Sequence, residues 1–294
     1  MTIQQLSHEI GISIDTLRIW ERRYGFPVPG RDARGHRSYS LEQVDELRIV
    51  KSLQNFGQRP GKIFSLEPAQ RRKLLDELTS QSLPKDSDLY RLVYELRPDQ
   101  IASELVKQRQ RMGLVDFIHK NAVPLLQILD HGWASGQISI AREHLISDQL
   151  ENLLRSELKG RIASVSSSIL FLTLSGERHK LGLLLAAVLF EQAGVAAVWL
   201  SEDLPVSEVP AIAADLGVSG LALSFSGHYS TRQAKQDLST LRNDLDPAII
   251  MIAGGHAVQQ IYGLPSLIIC TDLQQIPKIA KRHFLSFPKG KVQT

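Results

Sequence analysis

The sequence predicts a chain of three parts: an α-helical head with a hairpin wing over 1–80, a central four-helix bundle over 88–160, and a C-terminal α/β part on a parallel sheet over 161–294. Three observations carry this. Near the start, two short amphipathic runs meet at Gly11 and lead into an arginine-rich, Gly/Pro-rich segment. From Leu89 to about Lys159, apolar residues recur at spacings of three and four, the period of a helix face. After Gly160, β-rich runs alternate with helical runs, the order that builds a parallel, doubly wound sheet.

Composition sets the bounds. With 294 residues, 43% hydrophobic and 22% charged, the chain can bury more than one core and has no disordered bias. A net charge of +3 means that any nucleic-acid contact comes from local clustering. The single cysteine, Cys270, excludes an intrachain disulfide and a cysteine-based zinc cluster; its apolar surroundings predict a buried small hydrophobe. The first ten residues lack the apolar core of a signal peptide, and no stretch approaches a membrane span, so a cytoplasmic protein is expected.

In the head, Ile3, Leu6 and Ile10 share one helix face, and Gly11 ends it. Ser13 caps a second helix, Ile14 to Arg23, with Leu17 and Trp20 inward and Thr16, Arg18, Arg22 and Arg23 outward. Tyr24-Gly25-Phe26-Pro27-Val28-Pro29-Gly30 cannot continue it. Arg31, Arg34, His36, Arg37 and Tyr39 around Gly35 read as a basic wing, and Ser40 caps a helix from Leu41 to Phe56. Six arginines between Arg18 and Arg37 face only Asp15, Glu21 and Asp32, an excess that suits phosphate, with Tyr24 and Tyr39 offering hydroxyls to the same backbone. The run Thr16-Leu17-Arg18-Ile19-Trp20-Glu21-Arg22-Arg23-Tyr24-Gly25-Phe26-Pro27, followed by Gly35-His36-Arg37-Ser38-Tyr39-Ser40, closely resembles the winged-helix DNA-binding domain of MerR-type regulators. That resemblance implies a second helix in the major groove of double-stranded promoter DNA, a wing on the flanking backbone, and a dimer on a palindromic site.

Pro68 to Ser80 reads as a charged helix and 80–87 as a linker. The bundle helices are expected at Leu89 to Leu96, Pro98 to Met112, Leu114 to Ser135 and Ile138 to Leu158, with Pro124 kinking the third. Trp133 ends that helix, and nine residues later come Glu143 and His144, which share a face with Ile140. Strands are expected at Ile169 to Leu174, Ala196 to Leu200, Gly220 to Ser224, Ile249 to Ala253 and Leu267 to Cys270. The helices between and after them lie near Leu181 to Ala193, Val206 to Leu216, Ser230 to Asn243, Ala257 to Tyr262 and Leu273 to Phe284. Ligands bind such sheets at the carboxyl ends of strands. There the first loop holds Glu177-Arg178-His179-Lys180-Leu181-Gly182, the third Ser224-Phe225-Ser226-Gly227, and the fourth Gly254-Gly255. A carboxylate beside an imidazole fixes its tautomer and frees the other nitrogen for a metal, and glycine lets a planar group approach the backbone.

A helical bundle before a Rossmann-like domain, with Glu177, His179 and Gly182 after the first strand, Ser224 after the third and Gly254-Gly255 after the fourth, looks like the cobalamin-binding module. The resemblance implies His179 as lower cobalt ligand, Gly182 as the motif glycine, Ser224 as the motif serine, and Gly254 and Gly255 as the pair bordering the nucleotide tail. Two departures stand out: Glu177 replaces the family's Asp, and Ser226 stands where leucine is usual. A MerR-like head on this tail resembles the CarH and LitR group of light-responsive repressors, in which Trp, nine residues and Glu-His cap the upper face of adenosylcobalamin. Trp133, Ile140, Glu143 and His144 reproduce that pattern. The resemblance implies a non-enzymatic, homo-oligomeric repressor, dimer or tetramer, that releases DNA when light breaks the cobalt–carbon bond. His144 is the candidate upper ligand afterwards. A light-independent cobalamin or other-ligand regulator and, further off, a cobalamin-carrying enzyme module are the alternatives.

Overall fold

The computed structural model describes residues 1–31, 35, 37–79, 87–134, 137–158, 167–177, 180–226, 229–259, 261 and 263–285. They fold as two compact units, Met1–Leu150 and Glu151–Thr294.

The first unit opens with α1 (Ile3–Ile10) and α2 (Ile14–Tyr24). Thr2 and Gln5 close α1 with a capping box, and Gly11 ends it at φ 66°, a conformation glycine adopts without strain. Ser13 accepts from Thr16 N–H, as its cap position in the sequence predicts. The wing is an antiparallel pair, β1 (Gly30–Arg31) and β2 (Arg37–Ser38), and α3 (Leu41–Asn55) follows with Ser40 as its cap. Helices α4 (Pro60–Phe64) and α5 (Pro68–Thr79) complete the head. Leu6, Ile10, Leu17, Trp20, Val44, Leu47, Leu53 and Ile63 form its core, and Phe64 packs edge-on against Trp20 and stacks on Tyr24.

Then come α6 (Asp88–Tyr94), α7 (Pro98–Met112), α8 (Leu114–Phe117), α9 (Val123–Ala134) and α10 (Ile140–Glu157). Between α8 and α9, Ile118–Ala122 is a π-helical turn. The disturbance expected of Pro124 takes this form: lacking an N–H and crowding the carbonyl four residues back, the proline forces the preceding turn to widen. The buried Asn121 in that turn donates to Gln108 of α7 at 2.7 Å. Arg142, in the first turn of α10, donates to the carbonyls of Val93 and Leu96 and so satisfies the end of α6.

In the second unit, β3 (Ser168–Leu172), β4 (Ala196–Trp199), β5 (Gly220–Ser224), β6 (Ile250–Gly254) and β7 (Leu267–Cys270) form one parallel sheet in the order β4-β3-β5-β6-β7. The helices are α11 (Leu181–Gln192), α12 (Val209–Asp215), α13 (Thr231–Asp244) and α14 (Ile276–His283). All five strands lie within two residues of their expected bounds, because a sheet covered on both faces needs near-continuous apolar runs. The helix expected over Ala257 to Tyr262 is only a 3-10 turn, His256–Val258, since Gly263 and Pro265 leave too few residues for a stable helix. Cys270 is half-buried on the edge strand β7, and not fully buried as its apolar run suggests; burial still pushes its thiol pKa up.

Candidate DNA-binding head and candidate ligand loops

On α2, Arg18, Arg22 and Arg23 are exposed and Thr16 is half-buried. They point outward because Leu17 and Trp20, at 1% and 4% exposure, claim the inward face. Arg37 of the wing is exposed and pairs with Glu21 of α2, Nε to Oε1 at 3.7 Å, so wing and helix present their charges together. Tyr24 is half-buried with Arg23 over its ring. Tyr39 departs from the expectation: it is 4% exposed, its hydroxyl is buried without a hydrogen bond, and it belongs to the head's core. Its backbone is held against the start of the chain, Tyr39 N–H donating to the Met1 carbonyl at 2.9 Å and the Met1 amino group to the Tyr39 carbonyl at 3.1 Å, which seats the ring in the core. Arg34 lies outside the described residues.

At the carboxyl ends of the strands, the loops after β3, β4, β5 and β6 are laced together. Gly176 N–H donates to Asp203 Oδ2 at 3.2 Å, and Lys180 Nζ donates to the Ser201 carbonyl, tying the first loop to the one after β4. Glu177, 2% exposed, accepts from Ser226 N–H at 2.6 Å, tying it to the loop after β5. The two positions that depart from the family pattern are thus hydrogen-bonded to each other. The longer carboxylate spans the gap. His179 lies outside the described residues.

Ser224 ends β5 half-buried, directly paired with Gly254 of β6. Phe225 N–H donates to the Gly254 carbonyl at 2.9 Å, and Ala257 N–H to the Phe225 carbonyl at 3.1 Å. Gly255 sits at φ 93°, and a Cβ there would lie 2.3 Å from the Phe225 carbonyl oxygen. The fold itself therefore demands this glycine. A Cβ on Gly254 would come 3.3 Å from the Cys270 carbonyl oxygen. Gly182, exposed on the first turn of α11, has nothing within 4 Å of its Cβ position, which leaves an open face for a bulky planar group. A buried carboxylate, a half-buried serine and this open glycine face are residues that would fit a corrinoid.

Sequence reasoning missed the brace behind this region. Tyr229 donates to Asp237 Oδ2 at 2.8 Å, Gln233 donates to the other oxygen at 2.9 Å, and Tyr229 packs edge-on against Phe225. Burial, reinforced by the Asp237 hydrogen bond and by the Asp237 and Glu177 charges, pushes the Tyr229 pKa well above the usual phenol range. No local pattern marks it, because Tyr229 precedes α13 and Asp237 lies two turns inside.

In the first unit, Glu143 bonds His144 Nδ1 through Oε2 at 2.5 Å and accepts from Ser147 at 2.8 Å through Oε1. The His144 side chain is 70% exposed. Ile140 is half-buried. Trp133 packs against the head's core, with the Arg48 guanidinium 5.6 Å from its ring centroid. Among the described residues, no group of three or more His, Cys, Asp and Glu is placed to hold a metal, and no helix is long and apolar enough to cross a membrane.

Comparison with known proteins follows the same division. Residues 1–66 match the model of the MerR HTH family regulatory proteins. The chain is 25% identical over 260 residues to the HTH-type transcriptional repressor CarH of Myxococcus xanthus, covering 85% of this chain and 86% of that one. It is 24% identical over 273 residues to the HTH-type transcriptional repressor CarA of the same organism, covering 91% of each. In three dimensions it is similar to the monomethylamine corrinoid protein of Methanosarcina barkeri, with a TM-score of 0.51 at 17% identity over 65% of this chain and 94% of that one. The chain thus carries a MerR-type helix-turn-helix head, is similar over most of its length to proteins named as transcriptional repressors, and includes a part with the fold of a corrinoid protein.

Proposed function

We propose that this protein is a DNA-binding transcriptional repressor that senses adenosylcobalamin and, through it, light. The observation that carries the reading is the joining of a MerR-type head to a corrinoid-protein fold in one chain, aligned along most of its length with relatives named as repressors. Thr16, Arg18, Arg22, Arg23, Arg34 and Arg37 grip DNA, with Tyr24 beside them. On the sheet unit, His179 serves as lower cobalt ligand, Glu177 and the loops it joins hold the first loop in place, Gly182 leaves room, and Ser224, Gly254 and Gly255 line the tail. Trp133, Ile140, Glu143 and His144 supply the upper-face contacts, with stacking from the indole and hydrogen bonds from the carboxylate. Bound adenosylcobalamin supplies a cobalt–carbon bond that green light breaks. A homo-oligomer presents several heads at once, and losing that multivalency lowers avidity by orders of magnitude with the DNA contacts unchanged.

The test uses duplexes selected from a random pool on the dark, cofactor-loaded protein. Retardation that needs adenosylcobalamin and disappears after green illumination supports the reading. Retardation indifferent to the cofactor contradicts it. A sensor that binds cobalamin but ignores light is the second reading, favoured by Glu177, whose longer carboxylate is already engaged by Ser226; cofactor-dependent retardation that survives illumination selects it.

A further inference from the structure

Arg48 lies on α3, in the head, yet it is built around a residue of α9. Its fork is held from two sides, Nη1 by Asp45 Oδ1 at 2.7 Å and Nη2 by Glu9 Oε1 at 2.5 Å. Its side chain is only 17% exposed, and its Nε is buried without a hydrogen-bond partner. Leaving a guanidinium donor unpaired is costly. What the side chain gains in that position is the face of Trp133, over which the guanidinium stacks. Trp133 is fixed from its own side as well. At the preceding Gly132, a Cβ would strike Ile138 Cδ1 at 2.1 Å, and Ile138 N–H donates to the Gly132 carbonyl at 2.9 Å. Gly132 and Ile138 are therefore held against each other, and the indole is aimed at the head by its backbone.

From this geometry we infer that Arg48 is the positioning residue for Trp133, and that the Arg48–Trp133 stack transmits ligand contact at Trp133 to the DNA-binding head. The inference rests on the reading of Trp133 as an upper-face contact. The indole is only half-buried, so one part rests on Arg48 while another stays open. A group that packs on the open part restrains the ring, and the restraint passes to the guanidinium and its two carboxylates. Glu9 belongs to α1, which packs on α2, and α3 begins directly after the wing. The elements that present Arg22 and Arg37 to DNA are thus the neighbours of the stack. Coupling of this kind is reciprocal: what ligand does to the head, DNA does to ligand affinity.

Amide hydrogen exchange on the full chain, with and without adenosylcobalamin in the dark, reads both ends. In the unaltered protein, the cofactor slows exchange in α11, beside the ligand loops, and slows it about fivefold in α3, the scale of one cation–π contact. In Arg48→Met the α11 response persists while the α3 response falls below about twofold. Glu9→Gln loosens the fork with the arginine in place and is the milder variant; it cuts the α3 response by about half. A far-UV circular dichroism spectrum and exchange protection in α1 and α2 without cofactor, equal to those of the unaltered protein, verify that each head is folded. A cofactor response in α11 with none in α3, or an α3 response unchanged in both variants, overturns the inference while leaving the proposed function intact. No response in either helix overturns both.

Discussion

The head and the strand-end loops carry their candidate functional residues in opposite ways. On α2 and the wing, Arg18, Arg22, Arg23 and Arg37 are exposed, and the core beneath is made by other residues, Leu17 and Trp20 among them. At the sheet, Glu177 and Gly255 are themselves structural, one buried and hydrogen-bonded between two loops, the other required by the Phe225 carbonyl. Where function is on the surface it can change without touching the fold. Where it shares residues with loop packing, a single change alters both.

The largest effect expected is at Gly255. Gly255→Ala places a methyl against the Phe225 backbone at a positive φ and should destabilise the sheet unit by about 3 kcal/mol, read as a lowered denaturant midpoint. A neutral result would break the contrast, because Gly255 would then be conformationally free. Next comes Glu177→Ala, which removes the acceptor of Ser226 N–H inside the protein and should cost about 2 kcal/mol, with cofactor retention falling alongside. Stability unchanged with retention lost would make Glu177 purely a ligand residue.

Tyr229 sharpens the contrast by pH. Its pKa is raised in the folded state, so the neutral phenol is the stabilising form. The contribution is fully present below the unfolded value of about 10 and is lost as pH rises toward the folded value. The denaturation midpoint should therefore fall above about pH 10, and Tyr229→Phe should flatten that fall. An identical slope in the variant would remove Tyr229 from the brace. The smallest effect on stability is expected in the head. Arg22→Ala should leave stability within about 0.5 kcal/mol while lowering the salt slope of DNA binding by about one. A large loss of stability there would erase the distinction between the two regions.

The same contrast explains what was legible in the sequence. Strand bounds, the Ser13 and Ser40 caps and the outward arginines follow from periodicity and capping chemistry, which are local. The Glu177–Ser226 bond joins residues 49 apart, and the Arg48–Glu9 pair residues 39 apart. Only the fold brings them together, so no window along the chain could show them. Tyr39 was misread for a related reason: next to basic residues it resembles a backbone contact, but the core that takes its ring is assembled from residues of all five head helices, Leu6, Leu17, Leu47, Ile63 and Leu75 among them. The spacing of Trp133 to Glu143 and His144 was readable along the chain, while its seat on the head, against Arg48, was not.

The most direct test of the central claim is gel filtration of the protein after dark incubation with adenosylcobalamin, followed at the corrin absorption bands and repeated after green illumination. The account expects the corrin to travel with the protein in the dark and the particle to become smaller after light. Corrin found only in the small-molecule fractions would contradict it.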